Sequence, residues 1–290
     1  MRVRVVVPAR NEAKRLGLLL RSVAEGARIA ALRGASWTVE CVVVTDRCHD
    51  TTASIARAHG AYGIESRAPG KVEALRAGLD ADAGIHVCVD ADVVLGPNTL
   101  FDLVDALLAT PHALASTPPF APERAEGWQT PLAWALHRYN ARNGFSSERL
   151  WLSGRCYAVR ELRFPTLEEV RARGGEGHLL ADDVWLSRAL LAQGPHSILR
   201  VDTDPVTYLP PRTLRGMSRV YRRMRRELAR VDALFPELAG PGRDRRVDAV
   251  RGAKDHLALA IFDVALSLVR WHARFVPDAD PWPVVEESKG

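Results

Sequence analysis

Cysteine is scarce in this chain, four in 290 residues, and no two of them stand in the C-x-x-C pairing of a structural zinc site. Cys41, Cys48, Cys88 and Cys156 are also too sparse for a disulfide scaffold, which points to a reducing cytoplasm. Long apolar runs are missing as well. The opening Met1-Arg2-Val3-Arg4-Val5-Val6-Val7-Pro8 returns to charge at Arg10 and Glu12 before a signal-peptide core can form. Residues 257–271 are interrupted by Asp263 and Arg270 and fall short of the roughly 20 residues that cross a bilayer, so no transmembrane helix is expected. There is no internal repeat of fixed period. Nor does one sign of charge dominate: 40 Lys+Arg against 35 Asp+Glu leave +5. The pI is nevertheless basic, about 9.3. That balance admits a polyanionic partner without choosing among nucleic acid, anionic lipid and sugar nucleotide.

What is present is a core. A hydrophobic fraction of 47% over this length suffices for one large domain, or a core domain with an appendage. In the first hundred residues, β-rich runs at 3–7, 39–44 and 85–89 alternate with segments of helical period at 12–32, 51–59 and 71–82, the last preceded by Gly70 as a turn or cap. Strands alternating with helices imply a parallel sheet buried on both faces, whose ligands gather beyond the carboxyl ends of the strands. Polar clusters stand at those ends: Pro8-Ala9-Arg10-Asn11-Glu12, Thr45-Asp46-Arg47-Cys48-His49-Asp50, and Asp90-Ala91-Asp92. Beyond residue 110 a Pro-rich connection at 117–122 leads to an aromatic stretch. An Arg-rich helix, a Gly/Pro/Arg loop at 240–246, a helix at 254–272 and a Pro-rich tail follow.

Val87-Cys88-Val89-Asp90-Ala91-Asp92 carries the strongest chemical signal. Two carboxylates spaced i, i+2 at the end of a buried strand share a side, and a tight turn lets both reach one hard cation. Oxygen donors select Mg²⁺ or Mn²⁺, and a cation there bridges diphosphate oxygens and neutralises a departing nucleoside diphosphate. The plainer account is that the pair only caps the turn into Pro97.

Those clusters together resemble, in their order along the chain, the signatures of family 2 glycosyltransferases with the GT-A fold. The resemblance rests on residues 5–12, on Val44-Thr45-Asp46-Arg47-Cys48-His49-Asp50-Thr51-Thr52, on Gly70-Lys71 with Gly78-Leu79, and on Asp90-Ala91-Asp92. It continues more loosely through 153–160 and 180–186. It implies an α/β fold, a GT-A, Rossmann-like, mostly parallel sheet flanked by helices with a helical C-terminal extension. The catalytic domain would span 1–210, with a nucleotide-sugar half at 1–110 and an acceptor-side half at 111–210, and an Arg-rich helical extension at 211–290. Pro8, Ala9 and Glu12 would line the nucleoside pocket, with Arg10 and Ala91 among the donor-binding positions, Asp46 reaching the base and Lys71 nearby. Asp90 and Asp92 would be the family's DxD pair, ligands of Mg²⁺ or Mn²⁺. Where relatives often read Asp-Asp-Gly-Ser, this chain has Thr45-Asp46-Arg47-Cys48, which leaves the base open between a UDP-sugar, preferred here, and a GDP-sugar. Considered singly, Glu12 also suits a helix first turn, and Asp46 and Asp50 suit turn or cap duty.

Asp182 and Asp183 precede an apolar helical segment. Inverting sugar transfer needs a base within hydrogen-bond reach of the acceptor hydroxyl. By the resemblance Asp183 is that base, and Asp182, where relatives usually have Glu, orients the acceptor; the alternative is a pair of helix N-terminal acids. The acceptor would be a glycan, a lipid or a small molecule, with Trp128, Trp134, Tyr139 and Trp151 as stacking platforms or as core. Seven arginines (215, 219, 222, 223, 225, 226, 230) interleave with apolar residues at helical spacing. The placement resembles that of an Arg-bearing helix which holds the diphosphate in membrane-bound relatives, without their Gln-x-x-Arg-Trp string; the other readings are a solvated basic face, or a peripheral contact of the 212–235 helix with anionic membrane. His49, His178 and His256 stand alone, with His178 the nearest to the acid pair, and the cysteines have no visible base partner. Two rival functions are a nucleotidyltransferase, against which the missing Gly-rich loop after the first strand speaks, and a basic nucleic-acid-binding protein, which leaves the three key aspartates unexplained. No nucleic-acid partner is expected.

Overall fold

Val5, Val6 and Val7 are consecutive and all fully buried, as a strand covered on both faces requires. They lie in β1 (Arg2–Ala9), which is followed by α1 (Leu16–Leu32), β2 (Thr38–Thr45), α2 (Thr52–Ala58), β3 (Tyr62–Glu65), α3 (Lys71–Gly78), β4 (Ile85–Val89), β5 (Val93–Val94) and α4 (Thr99–Ala109). The chain continues through β6 (Ala115–Thr117), β7 (Phe120–Pro122), α5 (Pro131–Ala141), β8 (Cys156–Val159), α6 (Leu167–Ala172) and α7 (Asp182–Leu191). Then come β9 (Ile198–Arg200), β10 (Val206–Tyr208), α8 (Leu214–Leu234), a short 3₁₀ turn (Pro236–Leu238) and α9 (Gly252–His272). This computed structural model describes residues 1–123, 131–141, 151–175, 182–194, 196–211, 213–238 and 250–272. His178, Trp128, the 240–246 loop and the Pro-rich tail lie outside the described residues.

The chain divides into two units. The first comprises Met1–Pro119, Leu150–Val206 and Arg230–Ala239. Its seven-stranded sheet has the order β3-β2-β1-β4-β8-β6-β9. β1 pairs in parallel with both β2 and β4, β2 with β3, and β6 with β9, whereas β8 runs antiparallel between β4 and β6. This is the mainly parallel α/β sheet flanked by helices that the sequence implied. All five residues of β4 are buried, His86 among them, and the strand ends in the half-buried Asp90 and, beyond buried Ala91, Asp92. α3 packs on β1 and β2, and α1 on α4.

The expected and observed boundaries differ in three places, each for a local reason. α1 begins at Leu16 instead of residue 12, because Asn11 takes a left-handed φ of 57° and the N–H groups of Asn11, Glu12 and Ala13 donate to side chains of the β2–α2 loop. α3 ends at Gly78, after which Leu79 is extended. β3 leaves no strand signal in the sequence, because its short run contains Gly63 and carries no buried apolar side chain.

Gly78 is where α3 meets the sheet. A Cβ added there would lie 2.4 Å from Val6 Cγ1 and 3.1 Å from Val44 Cγ2. Val6 and Val44 are fully buried and have nowhere to move. Gly78→Ala is therefore expected to destabilise the protein by about 1–3 kcal/mol through overpacking. A lower urea midpoint at unchanged slope is the expected reading, and an unchanged midpoint would contradict this close approach.

The second unit comprises Phe120–Arg149, Thr207–Ala229 and Gly240–Gly290. Within it α5 packs along α9, around Leu136, Met217, Phe262, Ala265 and Val269. Tyr139 stacks on Phe262 with centroids 3.7 Å apart and planes at 7°, and Trp134 packs against the Ala135–Ala258 pair. Of the aromatic residues expected either to stack on a sugar or to build core, these two build core. Arg138 pairs with Asp255, a fully buried carboxylate that also accepts from Arg251 N. α8 spans the same residues as the Arg-rich helix read from the sequence. It buries Met217 and Ser218, and exposes Arg215, Arg223 and Arg225. Among the described residues no helix is long and apolar enough to cross a membrane.

Candidate active site

The parallel register brings Ala9 beside Thr45, so the loops after β1 and β2 leave the sheet together. They are laced by their own polar groups. Asp46 N donates to Ala9 O at 2.9 Å, Glu12 N to Thr52 Oγ1 at 2.8 Å, and His49 N to Asn11 Oδ1 at 2.9 Å. Cys48 Sγ lies 3.4 Å from both Ala9 O and Asn11 N. Asp50 accepts from Ala13 N and Thr52 N, the turn-holding role that its spacing allowed. Arg15 Nε donates to Asp92 O at 3.0 Å and ties the third strand end to the first.

Asp46 is almost fully buried, and both of its oxygens are engaged. Oδ1 accepts from Arg47 Nε at 2.9 Å and Oδ2 from Gly70 N at 3.1 Å. Arg47 stands in the left-handed region at φ 48°, a conformation that costs a side-chain-bearing residue of order 1 kcal/mol or more and that the Asp46 contact helps to hold. Gly70, at φ 119°, occupies backbone space that only glycine enters readily, and it turns Lys71 inward at the start of α3.

Lys71 is the hub. Its Nζ lies 2.7 Å from Asp90 Oδ1, 3.1 Å from Asp182 Oδ1 and 2.8 Å from Gly154 O. Burial works against its ammonium, but Asp182 and Asp90 outweigh that and hold its pKa above the ordinary lysine value. Asp182 is buried, with Tyr157 Oη donating to Oδ2 at 3.3 Å. Burial drives its carboxyl up to about 7 against the pull of Lys71, and the neighbouring Asp183 and Asp90 add to the rise. Asp183, half-buried at the first turn of α7, accepts from Gly154 N through Oδ2 at 3.2 Å. Gly154 thus bridges Lys71 and Asp183, and it must be small: a Cβ would approach Lys71 Nζ to 3.0 Å and Asp182 Oδ1 to 3.4 Å. Gly154 and Tyr157 fall in the stretch whose resemblance is looser, and no spacing rule marked them.

The acids at the end of β4 face the same centre. Asp90 N donates to Arg155 O at 2.9 Å, in the turn that enters β8. Asp92 has a raised pKa, first through burial and next through the Asp90 carboxylate, with Arg155 and Lys71 opposing. A buried Asp92 carboxylate that a neighbouring acid makes costly to ionise is suited to a cation. The donors of both acids are all oxygen, the set that Mg²⁺ and Mn²⁺ take. Among the described residues no group of three or more His, Cys, Asp or Glu could hold a metal by itself.

Of the residues singled out from the sequence, the structure brings Lys71, Asp90, Asp92, Asp182 and Asp183 to one centre. Asp46 joins the neighbouring loop layer, with Ala9 buried and Pro8, Arg10 and Glu12 half-buried there. Lys71 sits between the two acidic pairs. Burial pushes the Cys41 and Cys88 thiols up to about 12, and all four cysteines are free. His49 and His256 are exposed.

The family model described as "Glycosyl transferase family 2" matches residues 4–170. The 4,4'-diaponeurosporenoate glycosyltransferase of Staphylococcus haemolyticus is 44% identical over 59 residues, a match that covers 20% of this chain and 13% of that protein. Glucosyl-3-phosphoglycerate synthase of Mycobacterium tuberculosis, solved with Mn²⁺, UDP-glucose and phosphoglyceric acid, superposes with a TM-score of 0.54 at 18% identity, covering 83% of this chain and 81% of that one. The same synthase with Mg²⁺ and UDP gives 0.52 at 21% identity, covering 80% and 78%. At such identities the likeness carries the fold.

Proposed function

The chain belongs to glycosyl transferase family 2, and on that premise we propose that it moves a sugar from a nucleoside diphosphate sugar to an acceptor hydroxyl by direct displacement. The observation that carries this reading is Lys71 Nζ, in reach of Asp90 on one side and Asp182 on the other. It joins the acids suited to the leaving diphosphate with those suited to the nucleophile.

Asp183 takes the proton from the acceptor hydroxyl as its oxygen attacks the anomeric carbon. The bond from that carbon to the diphosphate oxygen breaks, the electron pair leaves with the nucleoside diphosphate, and the product is inverted. No covalent sugar–enzyme bond is needed. Gly154 N holds one oxygen of Asp183 and so orients the base. Lys71 keeps Asp90 and Asp182 from repelling one another before substrate arrives. Asp90 and Asp92 would hold Mg²⁺ or Mn²⁺, whose charge offsets that developing on the diphosphate. The loops after β1 and β2, with Pro8, Ala9, Arg10, Glu12 and Asp46, take the nucleoside.

The donor is read as a UDP-sugar, with a GDP-sugar as the alternative. UDP and UDP-glucose bound to the mycobacterial synthase support the first, whereas Arg47 where relatives often have Gly keeps the second in view. Phosphoglyceric acid in that synthase supports a small acceptor, and glycan and lipid acceptors stand beside it. Free cysteines accord with a cytoplasmic protein. Nothing observed favours the nucleotidyltransferase or the nucleic-acid-binding reading.

A thermal-shift panel of UDP, GDP, dTDP and CMP, each with and without Mn²⁺, tests the proposal, since a ligand that binds only the folded state raises its apparent stability. One diphosphate is expected to raise the midpoint by several degrees with Mn²⁺ and little without. Asp92→Asn should remove the metal-dependent part. A panel flat in both conditions would sink the reading.

A further inference from the structure

We propose that the outer face of α9 is where two copies of this chain pair, antiparallel, about a two-fold axis at Val264. α9 buries one apolar face and exposes much of a second. Ala258, Phe262, Ala265 and Val269 are buried inside the second unit. Leu257, Val264, Leu268 and Trp271 are 55%, 64%, 50% and 62% exposed, and half-buried Ile261 lies in line with them. Residues 257, 261, 264, 268 and 271 alternate steps of four and three, the seam of a heptad, and this stripe runs about 100° around the helix from the buried one.

A single exposed leucine needs no explanation, but a continuous seam of large side chains does. The helix is not apolar enough to cross a membrane. Nor does its polar side match a helix lying on one, since His256, Asp263 and Arg270 include an acid where lipid-surface helices are rich in Lys and Arg.

The seam is complementary to itself. With Val264 on the axis, Leu268 of one copy faces Ala260 of its partner, Ile261 faces Ser267, and Leu257 faces Trp271. Two of these contacts set a large side chain against a small one, and the two-fold axis repeats each of them in the opposite sense. The small flanking residues Ala253, Ala260 and Ser267 let the helices approach closely and bring no charge into the seam. Residues 257–271 run for roughly 20 Å. Covering that stripe removes on the order of 500 Å² from each copy, so the pair reaches the ~1,000 Å² that a specific interface needs.

Light scattering on the full chain, after size exclusion across the micromolar range, is expected to give the mass of a dimer. Val264→Glu and Leu268→Glu should each give a monomer with unchanged nucleotide response, whose unfolding midpoint equals that of wild-type protein diluted until it too is monomeric. Under mild oxidation Val264→Cys should link to its own copy, whereas Leu257→Cys should link only when mixed with Trp271→Cys. A wild-type monomer throughout, or a Val264→Glu dimer as tight as wild type, overturns the proposal. So does a wild-type monomer that floats with phosphatidylglycerol vesicles and loses this with Leu268→Glu, which makes lipid the occupant. A Val264→Glu midpoint below that of the diluted, monomeric wild type overturns it in favour of cover by the chain's own residues.

Discussion

Asp183→Asn is expected to lower the transfer rate by about three orders of magnitude while leaving nucleotide binding intact. The amide keeps the size of the carboxylate, but it cannot take a proton, and a positioned base contributes roughly 10²–10⁴ in rate. The contact to Gly154 N survives if the amide oxygen occupies the Oδ2 position, so the α7 start and the turn into β8 keep their geometry. The expected pattern is a fall in kcat with the metal-dependent thermal shift by nucleotide preserved. Retained turnover removes Asp183 from the role of base. Lost nucleotide binding means instead that the substitution disturbed the acidic centre as a whole.

Lys71→Met is expected to cost about 3 kcal/mol of stability, because breaking a buried ion pair leaves an uncompensated charge. Asp182 is the exposed nerve of this arrangement: its side chain is only 3% accessible, and Lys71 is its cationic partner. Without the ammonium, Asp182 must take up a proton or find water, and Asp90 and Asp183 make keeping its charge harder still. Asp182→Asn in the Lys71→Met background should therefore restore much of the loss. A double-mutant cycle by urea unfolding measures this, with a coupling of about 1 kcal/mol or more expected for groups in one buried network. Additive losses would mean that Lys71 contributes by packing its aliphatic stem and not by pairing. Because these variants are read by unfolding, the result is independent of whether donor sugar and acceptor have been identified.

Much of the fold was legible because buried parallel strands announce themselves as unbroken apolar runs. Val5, Val6 and Val7, Val42, Val43 and Val44, and Val87, Cys88 and Val89 of β4 are such runs, and each ends in the polar cluster that the structure finds at the sheet's carboxyl edge. The Asp90, Asp92 pair was legible for the same reason: its spacing from β4 is local. β3 was not, since an edge strand with Gly63 at its centre buries too little to leave a pattern. The start of α1 was misread because a helical period continues through residues 12–15, while the backbone there spends its N–H groups on Cys48, Thr52 and Asp50, a choice made by the neighbouring loop.

The sequence by itself determined three parallel strands of the sheet, β1, β2 and β4, the helices that alternate with them and the strand-end positions of Asp90 and Asp92, because periodicity and burial act over a few residues at a time. Only the tertiary structure decided that Lys71 joins Asp90 to Asp182, that Gly154 leaves room for both, and that Arg47 leans on a buried Asp46. Those contacts depend on β8 entering antiparallel beside β4 and on α7 starting above it, and such long-range pairing is fixed by how the whole sheet packs, which no local spacing encodes.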